Sequence, residues 1–384
     1  METRKLYYED CHLRTFRAQV LSCAEAGGRY HIILDATAFY PEGGGQAADT
    51  GTLGTARVLD TREEGETVVH FCDSPLTPGE TVEGNIDWAA RFHRMQQHTG
   101  EHMVSGLIHK HFGCHNTGFH MGAEGITIDF DGVIPAEALP ALEKEANEAL
   151  WQNLAVSCTV PSPEELEKTF YRTKRALPWP VRIVEIPGID SCACCGVHCA
   201  RTGEVGLIKL FSSIPFRGGS RLLMACGAHA LQILNDAYSQ NKLVSQAFSA
   251  KPDATGEAAH KMNALLEERK FRITQLERQI FAAAAAGYAG KGDILHFEEG
   301  LSSAAVRDLA DMIADKCQGT AAVFSGSDEG GYSFCLVTRE GDLRPLGKSL
   351  TQTLNGRGGG KPNFQQGSVK AAKTAIEAFF RNGK

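Results

Sequence analysis

The chain has little that would place it in a membrane or outside a cell. No apolar run among its 384 residues approaches the roughly 18 residues of a membrane span. The opening "METRKLYYED" carries charges where a secretory signal needs an apolar stretch. Both absences predict a cytoplasmic protein with no membrane partner. Cysteine is sparse: 12 in 384 residues are too few for a disulfide scaffold, so a tight cluster of them points to metal binding or reactivity. Positive charge is short as well. A formal net charge of −7 excludes a protein that coats nucleic acid non-specifically, because such binding needs many cations against phosphates. Internal repeats and low-complexity tails are also missing.

What is present is unevenly spread. From Pro345 to Lys384 seven basic residues (Lys348, Arg357, Lys361, Lys370, Lys373, Arg381 and Lys384) face one acidic residue, Glu377. A basic end on an acidic protein predicts an anionic partner there. Residues 1 to 88 read as β, with "YHIILDATAFY", "GTARVLD" and "ETVVHF" as short apolar or alternating runs divided by turn residues. Around Asp87 the period changes to that of a helix, which runs through "WAARFHRMQQHTGEHMVSGLIHKHFG" and stops at Gly113. A helix ("PAEALPALEKEANEALWQN"), a charged helical stretch ("SPEELEKTFYRT") and strands ("GITIDF", "VRIVEIP", "GLIKLFSSI", "RLLMAC") make the middle α+β.

Two long helices follow, broken at "AKPDATGE". In the second, Met262, Leu266, Arg269, Ile273, Leu276, Ile280 and Ala283 alternate spacings of four and three, a heptad seam with one polar intruder. Such a seam packs an arm on itself or joins two copies. The end of the chain reads as a compact α/β module with a glycine-rich loop, "NGRGGGKPN", and a final helix. "GRGGGK" lacks the Ser or Thr that follows the lysine of a nucleotide-binding P-loop. Arg357 and Lys361 beside the glycines suit an RNA backbone instead, although a tight internal turn has the same composition.

Chemistry concentrates in two short motifs. His98 and His102 in "HTGEH" lie four apart on the predicted helix, so both imidazoles can point at one place. An ordinary packed face produces the same pair. "CCGVHC" at 194 to 199 adds Cys194 and His198, again four apart. Thiolate and imidazole are the donors Zn²⁺ prefers, and the carboxylates a hard cation would want are not part of either pair. Cys192, Cys195 and Cys199 compete for the thiolate position on spacing alone.

"HTGEH" followed by "CCGVHCARTGEVGLIKL" at 194 to 210 resembles the paired metal motifs of the alanyl-tRNA synthetase editing domain and its free-standing relatives, the AlaX proteins. "DATAFYPEGGGQAADTG", 35 to 51, is similar to the glycine-rich segment of that family's N-terminal barrel, and "GRGGGKPNFQQG", 356 to 367, to the loop of its DHH-associated domain. The four motifs keep the family's order along nearly the whole chain. No large aminoacylation domain precedes the barrel, so the expected protein edits without charging tRNA.

The resemblance implies an α+β protein in four parts: a small N-terminal β-barrel (1–88), a two-layer editing domain (89–227), a helical hairpin arm (228–289) and a C-terminal α/β DHH-associated domain (290–384). It implies one Zn²⁺ per chain on His98, His102, Cys194 and His198, and hydrolysis of Ser-tRNA(Ala) or Gly-tRNA(Ala). A pocket for alanine cannot strongly exclude glycine or an added hydroxyl, so a second hydrolytic site is needed. His120, where the synthetases usually carry glutamine, Thr37 and Gln46 are expected in the aminoacyl pocket. Gly43, Gly44 and Gly45 then serve either close approach of substrate or a sharp turn. Arg357, Gly358, Gly359, Gly360 and Lys361 are expected on tRNA, and a homodimer would form through the arm or the C-terminal domain. Four protein ligands normally close a structural zinc, so the ion either reaches substrate or its attacking water through a fifth position or only organises the pocket. The rival functions are a zinc-stabilised RNA-binding module without catalysis and a metallohydrolase of small esters.

Overall fold

A computed structural model describes residues 2–122, 125–173 and 177–382. They form two compact units, Met1–Lys242 and Leu243–Lys384. Lys384 of the basic end lies outside the described residues. No helix among the described residues is long and apolar enough to cross a membrane.

The first unit starts with β1 (Arg4–Lys5) and a short helix α1 (Leu6–Glu9); β1 pairs in parallel with β4 (Ala36–Thr37). Six further strands, β2 (Thr15–Ala26), β3 (Arg29–Leu34), β5 (Gly51–Leu53), β6 (Ala56–Glu64), β7 (Thr67–Cys72) and β8 (Thr81–Ile86), pair antiparallel in the order β2-β3-β7-β6-β5-β8. β8 returns to β2, which closes the ring. Alternate side chains face inward, as the two-residue period of a strand requires: Phe16, Ala18 and Val20 from β2, and Val82 and Ile86 from β8, join Ile32, Leu34, Phe39 and Leu53 in one core.

The long helix α2 (Trp88–Phe112) begins at Asp87, whose carboxylate accepts from Ala90 N–H, and ends at Gly113 in the left-handed region. Both ends fall where the sequence places them. Helix α2 and α3 (Leu139–Trp151) pack on an antiparallel sheet of order β14-β15-β10-β9, made of β9 (Asn116–Gly122), β10 (Gly125–Phe130), β14 (Ile208–Phe216) and β15 (Gly219–Cys226). A smaller sheet joins β11 (Ser157–Thr159), β12 (Ile183–Ile186) and β13 (Asp190–Ala193). The charged stretch at 162 to 173 keeps only one helical turn, α4 (Pro163–Leu166), capped by Ser162 and Glu165.

A buried ion pair fastens α2 to the ring. Arg91 and Asp49 are both fully buried; the Arg91 guanidinium donates to Asp49 Oδ2 (2.8 Å from Nε) and to the Ala38 carbonyl (2.6 Å). Tyr40 N–H donates to the same carboxylate oxygen at 2.7 Å, and Arg94 lies 3.6 Å from its other oxygen. The pair therefore fixes the segment from Ala38 to Asp49 as well as the helix.

Helix α5 (Gly227–Ala247) crosses the boundary between the units. The second unit contains α6 (Thr255–Ala286) and a five-stranded sheet of order β16-β17-β18-β20-β19, with β16 (Ile294–Phe297), β17 (Ala321–Ser327), β18 (Gly331–Val337), β19 (Gly356–Lys361) and β20 (Phe364–Val369). Val323, Cys335 and Val337 pack under α7 (Ser303–Cys317), while Phe324, Phe334 and Leu336 pack with Leu350 of α8 (Arg344–Thr353) and Ile376 of α9 (Lys373–Asn382). The seam residues Met262, Leu266, Ile273, Leu276 and Ile280 are exposed, between 40% and 65%, so the seam belongs to neither core. The segment expected as a glycine-rich loop is instead an edge strand, β19, in register with β20 from Gly356↔Val369 to Lys361↔Phe364. Glycine has no side chain to alternate, so the strand leaves no hydrophobic pattern to read.

Removing the cation of the buried pair with Arg91→Leu is expected to cost about 3–5 kcal/mol by stranding a buried carboxylate, read as a lower urea midpoint. Asp49→Asn should cost less in that background than alone, which a double-mutant cycle will measure.

Candidate metal centre and its cavity

His98 and His102 sit on the buried face of α2, one turn apart, and the loop after β13 carries Cys194 and His198 to the same point. The four donor atoms lie within 4.8 Å of one another, with the histidines buried and Cys194 half-buried. Cys194 Sγ is 3.5 Å from His98 Nε2, and the ring centroids are 4.4 to 5.2 Å apart.

Outer groups fix how each donor presents itself. His98 Nδ1–H donates to Gln46 Oε1 at 3.0 Å, and Val197 N–H donates to the same oxygen. His102 Nδ1–H donates to Asp190 Oδ2 at 3.0 Å. Arg172 forks onto Asp190 at 2.6 and 2.8 Å. Each Nε2 is thereby left facing the other donors, the arrangement a metal-ligating imidazole needs. Gly196 N–H donates to Cys194 Sγ at 3.3 Å. His198 has two buried ring nitrogens with no hydrogen-bond partner among the described residues, and burial pushes it down to about 3, so it presents a neutral ring.

Burial opposes ionisation of the Cys194 thiol, yet the surrounding imidazoles, His98 foremost, hold it well below the ordinary thiol range. Burial alone would lower His102, but Asp190 and Cys194 hold it well above an ordinary imidazole. Burial likewise opposes the charge on Asp190, which His102 and Arg172 keep below the usual carboxylate range. Three imidazoles and a thiolate, with orphaned nitrogens on His198, fit zinc and leave no carboxylate for a hard cation. None of the rival cysteines joins that group of four, although Cys192 forms a second group of potential donors with His102 and Asp190. Cys199 is in the core, its thiol pushed up to about 12 by burial. Cys195 faces Tyr40, whose hydroxyl is 3.8 Å from its sulfur. Cys192 lines the cavity wall beside His102 and Asp190, and burial raises its thiol to about 11.

The triple glycine is both a turn and a close approach. Gly43 and Gln46 exchange backbone hydrogen bonds of 3.1 and 2.9 Å, and Gly44 and Gly45 between them have φ of 58° and 85°. That is the two-residue hairpin geometry which side chains resist. A Cβ on Gly45 would stand 2.7 Å from the Phe119 ring, and one on Gly44 3.0 Å from Cys195 Sγ. The turn delivers Gln46 to His98. At the same edge of that ring, a Cβ at Gly196 would lie 2.3 Å from His98 Cε1 and 3.1 Å from Gln46 Oε1.

A cavity of about 810 Å³ opens beside the cluster, with His98, His102, Cys194, Glu101, Asn116 and Phe119 in its wall. Glu101 is buried and accepts from Asn116 Nδ2 (2.6 Å) and Ser105 (2.5 Å), and its second oxygen is 4.0 Å from His102 Nε2. Asn116 Oδ1 is buried without a partner among the described residues. Phe119 stacks on His98 at 5.3 Å.

Three expected pocket residues fall elsewhere or act differently. His120 is exposed and does not line the cavity; its neighbour Phe119 does, since adjacent strand residues face opposite ways. Asn116, four residues earlier, also lines the cavity. Thr37 is buried inside the ring, its hydroxyl 2.8 Å from His70 Nε2 and accepting from Phe39 N–H. Burial lowers His70 to about 4 and keeps it neutral, so Thr37 has both its hydrogen-bonding roles filled. Gln46 touches His98 rather than lining the cavity. Arg357, Gly358, Gly359, Gly360 and Lys361 are all on β19 of the second unit. Glu101, Asp190 and Arg172 were not anticipated. Glu101 lies at i+3 from His98, on the same helical face, which was a usable signal. Asp190 and Arg172 are 88 and 18 residues from their partners, and no local pattern announces them.

Three family models match. One described as tRNA synthetases class II (A) covers residues 2–90, one described as threonyl and alanyl tRNA synthetase second additional domain covers 181–221, and the DHHA1 domain covers 282–382. They define a class in which the second additional domain of these synthetases is joined to a DHHA1 domain. Over nearly its whole length the chain is similar to alanyl-tRNA editing proteins: Aarsd1-B of Xenopus laevis is 28% identical over 96% of this chain and 94% of its own length, and Aarsd1 of Mus musculus 28% over 97% and 96%. An alanine–tRNA ligase of Thermofilum pendens is 31% identical over 97% of this chain, which spans 43% of the ligase.

Asp190→Asn is expected to weaken zinc binding about 10–100-fold, measured by chelator competition on folded protein. Gly196→Ala should weaken it as well, through displacement of the His98 ring.

Proposed function

We propose that the protein is a cytoplasmic trans-editing deacylase that hydrolyses Ser-tRNA(Ala), with Gly-tRNA(Ala) as a poorer substrate and no aminoacylation, using one Zn²⁺ held by His98, His102, Cys194 and His198. The observation that carries the reading is the opening of this donor set into a cavity whose wall also holds a buried carboxylate and an unpartnered acceptor. The relatives matched over nearly their whole length, alanyl-tRNA editing proteins, support the substrate class.

His198 does not line the cavity, whereas His98, His102 and Cys194 do, so substrate would approach from their side. Zinc bound there would supply a Lewis acid to the ester carbonyl or the attacking water. Glu101 holds Asn116 through one oxygen and offers the other as acceptor for the proton of that water. Asn116 Oδ1 is the acceptor proposed for the serine hydroxyl. Alanine would leave it buried and unpaired, at a cost of about 1–3 kcal/mol; glycine lacks the hydroxyl too, which ranks it below serine. Phe119, stacked on His98, closes one wall against water. The edge strand with Arg357 and Lys361 is proposed for the RNA backbone, and the exposed seam of α6 for a homodimer.

Wild-type protein is expected to release serine from Ser-tRNA(Ala) and spare Ala-tRNA(Ala). Cys194→Ala should lose zinc and nearly all hydrolysis while circular dichroism stays native. Asn116→Ala should narrow the serine-to-alanine ratio by roughly 5- to 150-fold. Folded, zinc-loaded wild type that releases no serine would sink the reading.

A further inference from the structure

Among the described residues, three lysine or arginine side chains stand in the cavity wall, and two are already paired. Arg172 is paired with Asp190, and Lys5 with Glu63. The third, Arg182, makes no ion pair among the described residues. Its Nη1 donates to the carbonyls of Cys194 and Gly196, both at 2.9 Å, and its guanidinium lies 4.5 Å from the centre of the Tyr8 ring. Its charge is thus held in the wall with no carboxylate paired to it among the described residues. Three residues before it, Trp179 is 57% exposed. The indole N–H donates to the Pro161 carbonyl at 3.1 Å, which pins the ring by one edge instead of letting it fold onto the apolar surface. The prolines on either side of Trp179 line the cavity.

We infer that Trp179 and Arg182 form a subsite for the single-stranded nucleotides that precede the esterified one, Trp179 stacking a base and Arg182 contacting a phosphate. This rests on the deacylase reading for its substrate. Trp179 and Arg182 stand three positions apart on one short segment, of which Pro178, Pro180, Val181 and Arg182 line the cavity, so ring and cation border the same opening. An apolar ligand would leave Arg182 uncompensated, and a small anion would leave the tryptophan exposed. A single strand satisfies both, because every base offers a face to stack and every linkage a negative charge. The subsite reads no sequence. It holds the strand end so that the ester reaches the donor cluster.

The test uses the full chain and the RNA tetramer ACCA, with the same sequence locked in a duplex as control. The tetramer, and not the duplex, is expected to quench tryptophan fluorescence, and Trp179→Phe should bind as tightly while losing the quench. Trp179→Ala should bind about tenfold more weakly and raise KM for Ser-tRNA(Ala) by a similar factor at unchanged kcat, with hydrolysis of 3′-seryladenosine unaltered. A quench that survives in Trp179→Phe, or Trp179→Ala with wild-type affinity and KM, overturns the subsite. Tetramer binding that depends on Trp179 in a wild type unable to hydrolyse either seryl ester supports the subsite and removes the deacylase reading instead.

Discussion

The first unit is organised by one buried ion pair. Arg91 of α2 and Asp49 of the ring are withdrawn from water together, and their hydrogen bonds also hold Ala38 and Tyr40. A buried pair contributes little net stability, because desolvation offsets attraction, but it tolerates very few arrangements. Its consequence here is register. Once the Ala38–Asp49 segment is fixed against α2, the glycine turn inside that segment must place Gln46 against the helix two turns further on, at His98. The turn, the helix and the metal-competent cluster are therefore a single packed object.

The cluster shows why four ligands of the right type are not sufficient. Each imidazole in contact with an outer acceptor has its Nδ1 occupied, His98 by Gln46 from the ring and His102 by Asp190 from β13. A free histidine would lose rotamer freedom on binding a cation; these have already lost it on folding. Arg172 in turn anchors Asp190, so the orientation of His102 depends on a chain running through three segments of sequence. Cys194 receives its proton-withdrawing environment from the same imidazoles. The geometry that prepares a thiolate is thus the geometry that would hold a metal.

Much of this was legible. The change of period at Asp87, the helix stop at Gly113, the i, i+4 histidines and the second pair at Cys194 and His198 are local properties, and local spacing on a helix translates directly into shared direction. The α/β order of the second unit followed from alternating runs in the same way. Illegible features were of two kinds. Strand β19 is nearly all glycine, so the period that would reveal a strand has nothing to display it. The facing of 116 to 122 was illegible too: His120 is exposed while Phe119 lines the cavity, and without knowing that the segment is a strand one cannot know which neighbour faces inward.

By itself the sequence determined which elements form, which donors exist and which pairs of them share a helical turn or tight loop. Bringing Cys194 to His98, His102 and His198, setting Asn116 and Glu101 in the cavity wall, and enclosing Thr37 in the ring were decisions of the tertiary structure. The physical reason is range. Backbone periodicity correlates residues a few positions apart, whereas burial, hydrogen-bond partnership and charge compensation are settled between segments dozens of residues apart, where only packing says which face meets which.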